Sequence, residues 1–260
     1  MDRSCLLGYD GGSTGLPPMN GSPPAVNAPR IILVTLGLLL GVHVLRLMLG
    51  PAGDVEVLRL FAFIPARYSD VVPGVRFEFG GGLAAKVWSF VTYMVLHGDW
   101  THLIFNSLWL LAFGSAVAWR IGTERFIAFT ICCGVAGALF HLAAHWGEPF
   151  PVIGASAAIS GHMAGAIRFV FRAAGPFGAL GRPGEMQRRV PLASIAETFQ
   201  ERRSLAFLAV WLFINLGLGL GAITFGEATG IAWEAHIGGF AFGLFFFGLF
   251  DRRLPPLRAF

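Results

Sequence analysis

The sequence predicts an all-α membrane protein, a bundle of six transmembrane helices. Three observations carry that expectation. Hydrophobic residues make up 55% of the 260 residues and charged residues only 13%, against roughly a quarter charged in a soluble domain. The apolar residues gather into runs of about 20, the length that crosses a bilayer core as a helix. Arginines concentrate in alternate connections between those runs, as the positive-inside rule requires. A water-soluble globule is excluded. The net charge of +4 rests on arginines and a single lysine, Lys86, placed in loops, which orients a membrane protein and builds no DNA-binding stripe. No nucleic-acid partner is expected, and the lipid bilayer is. Cys132 and Cys133 are adjacent in an apolar run while Cys5 is far away, so all three are read as free thiols.

Residues 1–30 are rich in Gly, Pro, Ser and Asn and hold no apolar stretch long enough for a signal peptide, which predicts a disordered cytoplasmic tail. Six apolar segments follow, at about 31–49, 101–119, 126–146, 155–174, 204–224 and 231–250, each long enough to span. They form one domain over 31–252, ahead of a short C-terminal tail at 253–260. A weaker stretch at 55–64, inside the long first loop 50–100, is too short and too charged to cross and is expected at the interface. The second connection carries Arg120 and Arg125. The region of the fourth carries Arg168, Arg172, Arg182, Arg188, Arg189, Arg202 and Arg203, whereas the third and fifth connections have neither Lys nor Arg. Only the first loop breaks the alternation, with Arg59, Arg67, Arg76 and Lys86 set against Asp54, Glu56, Asp70 and Glu78. Both termini are therefore expected in the cytoplasm.

With that orientation the second, fourth and sixth spans run inward, so their first residues share the outer third of the membrane. The second opens HGDWTHLIFN, placing His97, His102 and Asn106 there, the last two on one helix face. The fourth opens GASAAISG, with Ser156 in its first turn, and the sixth opens IAWEAHIGG, with His236 below its start. Polar groups at membrane depth are costly and need a partner or a chemical role. A serine beside a histidine has one: the imidazole takes the hydroxyl proton as serine attacks a carbonyl, then returns a proton to the leaving amine. The oxyanion so formed needs donors, worth about 2.7–4 kcal/mol each. His102, Asn106 and the backbone N–H of Ser156 at a helix N-terminus suit that task. Gly161 with Gly165, and Gly239 with Gly243, form GxxxG pairs that let the serine and histidine helices approach, though such pairs usually serve packing alone.

These residues resemble the rhomboid family of intramembrane serine proteases, over roughly residues 30–252. The family's HxxxxHxxxN pattern in the second span reads here as His97, His102 and Asn106; its GxSG-type motif as Gly154, Ala155, Ser156 and Ala157; its AHxxGxxxG pattern as Ala235, His236, Gly239 and Gly243. The resemblance implies a six-transmembrane-helix rhomboid-like bundle in which Ser156 is the nucleophile and His236 the base. His102 and Asn106 would bind the oxyanion, with His97 and Gly154 beside them. The substrates would be transmembrane segments of other proteins that unwind readily, in a bacterial inner membrane, with no metal or organic cofactor. The sequence departs from the family twice. Ala157 stands where a glycine usually follows the nucleophile, adding a methyl group near the oxyanion site. Ser160 stands where an aromatic ring often packs on the histidine, which leaves the orientation of His236 less well explained.

Other readings stay open at this level. Ser156 alone reads as a helix-capping residue, and His236 alone as a buried hydrogen-bonding histidine. His97 equally suits orientation of the first loop. His141 and His145, four apart on the third span, could present two imidazoles to a metal, with Glu234 as the main intramembrane carboxylate. Together with His97, His102, His162 and His236 they would describe a histidine-ligated membrane enzyme. A rhomboid-like protein that binds membrane helices without cutting them is the third class. Asn215, inside the fifth span, is expected to hydrogen-bond a neighbouring helix. The sequence does not specify the oligomeric state.

Overall fold

The computed structural model describes residues 27–69, 79–172, 184–220 and 231–251. The C-terminal tail, Cys5 and most of the N-terminal tail lie outside the described residues. The structure is a helical bundle. Helix α1 (Arg30–Met48) leaves Leu33, Val34, Leu38, Leu45 and Leu47 exposed, the pattern of a helix whose solvent is lipid. Next comes α2 (Gly50–Phe61), which contains most of the weak apolar stretch and at 12 residues is too short to cross. Arg46 ties it to α1: its guanidinium donates to both carboxylate oxygens of Asp54, at 2.7 and 3.1 Å, and to the His97 carbonyl at 2.7 Å. Helix α3 (Gly82–Thr92) completes the first loop.

The second span is one helical rod, Trp100–Ile121, built from α4 (Trp100–Trp109), a π-helical turn at Leu110–Gly114 and α5 (Ser115–Ile121). Its start is fixed by Asp99, whose carboxylate accepts from the His102 backbone N–H at 2.8 Å as an N-cap does. The remaining helices are α6 (Thr123–Ala144), α7 (Ser156–Val170), the short α8 (Gly184–Arg189) and α9 (Ile195–Gln200), then α10 (Arg202–Gly219) and α11 (Trp233–Phe250). Among the described residues, five helical segments are long and apolar enough to cross a membrane: α1, Trp100–Ile121, α6, α10 and α11.

The fourth expected span differs from the other five. Helix α7 has 15 residues, about 22 Å at 1.5 Å per residue, against a hydrocarbon core of about 30 Å. Every residue from Ala157 to Val170 is buried. A helix wrapped by other helices has no need to reach both faces of a bilayer.

Glycines decide how α6, α7 and α11 pack. A Cβ on Gly239 would lie 2.0 Å from the Ala157 carbonyl oxygen, and one on Gly243 would lie 2.2 Å from that of Gly161. Helices α7 and α11 therefore touch backbone to backbone, which only glycine permits. Gly137 of α6 completes the triangle, its missing Cβ leaving room for the Ala157 methyl and the Ala235 carbonyl, each 2.6 Å from that position. At the opposite end from Ser156, Arg120 donates twice to Asp251 at 2.8 Å, with both side chains 4% exposed. The same guanidinium donates to the Gln187 and Val190 carbonyls and lies over the Phe169 ring.

Candidate active site

The chain that delivers Ser156 is pinned before it becomes helical. Val152 and Phe63 exchange backbone hydrogen bonds at 3.1 and 2.8 Å, and the Gly154 N–H donates to the Tyr93 carbonyl at 3.0 Å. Tyr93 is itself held by its hydroxyl, which donates to the Gly134 carbonyl of α6 at 2.8 Å. The first loop thus acts as a bracket for the segment leading into α7.

Ser156 is the first residue of α7, directly after Ala155 at the N-cap. Its hydroxyl meets His236, with Oγ 2.7 Å from Nε2. The opposite ring nitrogen, Nδ1, lies 2.6 Å from Oδ1 of Asn215 on α10. The Asn215 amide nitrogen donates to the Trp211 carbonyl one turn back, at 2.8 Å, so its oxygen is the atom that faces the imidazole. An oxygen acceptor there requires the proton on Nδ1 and leaves the Nε2 lone pair to accept from the Ser156 hydroxyl. That is the tautomer a general base needs. Helix α10 is set in place by Trp211, stacked on Phe240 of α11 at 4.2 Å.

Asn215 is the member of this hydrogen-bonded set that the motifs did not name. It was visible as a polar residue inside an apolar span, but its partner was not. It also accounts for the imidazole's orientation without the aromatic ring that Ser160, here buried, replaces. The Ala157 methyl packs against α6, where it fills the gap at Gly137.

His102 stands across from the serine. Its Nδ1 accepts from the Gly98 N–H over a long 3.4 Å, which leaves Nε2 as the proton-bearing nitrogen. Gly154 has φ +116°, and a Cβ there would sit 2.6 Å from His102 Nε2 and 3.6 Å from Ser156 Oγ. Glycine is therefore needed at this position both for the backbone angle and to keep open the space between His102 and Ser156. Asn106 is buried and gives one amide hydrogen to the His102 carbonyl at 2.9 Å; its second is free by valence for another acceptor. Up to three further donors lie at the start of α7, where first-turn N–H groups have no intrahelical acceptor.

His97 is fully buried, its ring edge-on to His102 at 5.0 Å and its carbonyl held by Arg46. Burial chiefly, with His102 and His43 nearby, pushes its imidazole down to about 3, so it is neutral at physiological pH. The geometry fits a residue that seats the first loop against His102.

The histidines do not gather into one metal-ligating set. His162 packs on Phe126 with Nε2 2.9 Å from the Thr130 hydroxyl, and His236 is engaged by Ser156 and Asn215. Among the described residues, only His141, His145 and Glu234 have ligand atoms close enough together to hold an ion.

The Rhomboid domain family profile matches residues 84–253. The chain is similar to rhomboid protease GluP of Bacillus subtilis (strain 168), 31% identical over 173 residues that cover 66% of this chain and 27% of that protein. It is also similar to the putative rhomboid protease YdcA of the same organism, 32% identical over 111 residues, 40% of this chain and 53% of that one. The aligned stretches thus span about a quarter and about half of the relatives' lengths.

Proposed function

The chain belongs to the rhomboid family, an integral multi-pass membrane protein, and from that premise we propose that it is an intramembrane serine endopeptidase. In this reading it hydrolyses peptide bonds in or near the transmembrane segments of other proteins, residues 31–252 forming the protease domain in a bacterial inner membrane with both termini cytoplasmic. The observation that carries the reading is the 2.7 Å contact between Ser156 Oγ and His236 Nε2.

The Ser156 hydroxyl passes its proton to His236 Nε2 as Oγ attacks the substrate carbonyl. His236, charged for that moment, is held in place through Nδ1 by Asn215. The developing oxyanion is met by the Ser156 N–H, by Nε2–H of His102 across the space that Gly154 keeps open, and by the second amide hydrogen of Asn106. The amine departs with the proton from Nε2, and a water activated by the same nitrogen hydrolyses the acyl-enzyme. Asn215 offers an amide oxygen rather than a carboxylate, so it fixes the tautomer without adding a counter-charge. A helical peptide bond presents its carbonyl to its own helix, so substrates that unwind locally at small or helix-breaking residues are favoured. His97 and Gly154 position His102 and touch no reacting atom.

Labelling with a fluorophosphonate separates a working hydrolase from a silent binder of membrane helices. Wild-type protein in detergent is expected to take the label and to cut a model transmembrane substrate, and Ser156→Ala to do neither while remaining folded. Labelling that persists in Ser156→Ala, or a wild type that takes no label, would overturn the proposal.

A further inference from the structure

On the far side of α11's first turn from the dyad's hydrogen bonds, the ends of α6 and α11 carry three side chains, His141, His145 and Glu234, that the proteolytic reading leaves without a role. His141 and His145 stack at 4.4 Å between ring centres, and Glu234, two residues before His236, inserts its carboxylate between their nitrogens. Its Oε1 lies 3.1 Å from His145 Nε2 and its Oε2 lies 3.6 Å from His141 Nδ1. His145 Nδ1 lies 3.0 Å from the Glu148 carboxylate, so Nδ1 carries a proton and Nε2 is the nitrogen that faces Oε1. A lone pair and a carboxylate oxygen at that distance need a positive centre between them, a proton or a metal ion.

His141 distinguishes the two. It is 8% exposed, and its Nδ1 is buried without a hydrogen-bond partner; 3.6 Å is too long for a hydrogen bond. Two ligands on one tetrahedral ion, with bonds of about 2.0–2.2 Å, stand about 3.4 Å apart. A proton on His145 would leave His141 Nδ1 orphaned, whereas one ion satisfies both imidazoles and the carboxylate. Glu148 supplies the outer carboxylate that commonly orients a metal-bound histidine through its other nitrogen.

We propose that His141, His145 and Glu234 form a binding site for a late first-row divalent cation of the zinc class, with Glu148 as the group that orients His145. Two imidazoles and a single carboxylate suit zinc and its neighbours and not magnesium or calcium, which require mostly oxygen ligands. His145 and Glu234 are only partly buried, so the cluster is reachable from outside the bundle. The ion would join the end of α6 to the start of α11, the helix that carries the base, and would act as a clamp and not as a reagent. This site stands independently of the dyad.

The test is isothermal titration of tag-free Ser156→Ala protein in detergent with Zn2+, and with Mg2+ in parallel. Saturable binding of one Zn2+ per chain, with no heat from Mg2+, is expected. His141→Ala and Glu234→Gln should each abolish it. Glu148→Gln, at a half-exposed side chain where folding is safe, should weaken it about 10- to 100-fold. No saturable Zn2+ binding, or binding of equal affinity in Glu148→Gln and Glu234→Gln, would overturn the site. Because the protein titrated is already proteolytically silent, neither result bears on the Ser156–His236 reading.

Discussion

Replacing Asn215 by leucine removes the acceptor for His236 Nδ1 while keeping a side chain of similar size. In the native arrangement Asn215 Oδ1 is 2.6 Å from that nitrogen, and the asparagine is 6% exposed, so water does not readily take its place. An N–H left buried without a partner costs about 1–3 kcal/mol. The ring can avoid that cost only by turning, which moves Nε2 away from Ser156. Each 1.36 kcal/mol is about tenfold in rate, so kcat should fall by about 5- to 150-fold. Asn215 touches no substrate, and KM should change little. The assay is cleavage of a fluorogenic transmembrane peptide in micelles, with the thermal melt recorded beside it to show that the variant is folded. Asn215→Asp keeps an oxygen facing Nδ1, while losing the donor to the Trp211 carbonyl and adding a negative charge beside the imidazole, and should recover most of the rate lost in the leucine variant. A leucine variant with undiminished kcat, or an aspartate variant as slow as the leucine one, would refute the assignment of Asn215 as the residue that positions the base.

Three further outcomes follow from the packing. Gly154→Ala forces a non-glycine residue to φ +116° and drives its Cβ to 2.6 Å from His102 Nε2; strain of about 1–3 kcal/mol and a displaced donor should lower fluorophosphonate labelling by more than about tenfold, and a normal labelling rate would remove Gly154 from the site. Gly239→Ala places a methyl 2.0 Å from the Ala157 carbonyl oxygen, so α7 and α11 must part at an overpacking cost of about 1–3 kcal/mol; the melting temperature in detergent should drop and activity with it, and no drop would mean the helices are not in backbone contact there. Asp251→Asn leaves the Arg120 guanidinium buried without its counter-charge, which costs about 3–5 kcal/mol in such sites and should appear as a lower melting temperature with Ser156 still reactive in the folded fraction.

Much of this molecule was legible in its sequence because a membrane makes both signals loud. Apolar runs such as 126–146 and 231–250 stand out by length alone, and the helices found, Thr123–Ala144 and Trp233–Phe250, overlap them closely. In such runs any polar residue is conspicuous, which is how Ser156, His102, Asn106 and His236 could be singled out at a shared depth. The run at 155–174 misled on length, since hydropathy cannot distinguish a helix facing lipid from one enclosed by protein, and α7 ends at Val170.

The order of the spans, their polar residues and the pairing of small residues with close helix approach were fixed by linear spacing. The rotation of each helix about its own axis was not, because residues on different helices have no spacing to read. That rotation is what brings Asn215 of α10 onto the imidazole, turns the Ala157 methyl into the notch at Gly137, and sets Glu234 between His141 and His145. Only the crossing of the backbones, decided by where glycines let them touch, could determine which of the buried polar groups meet.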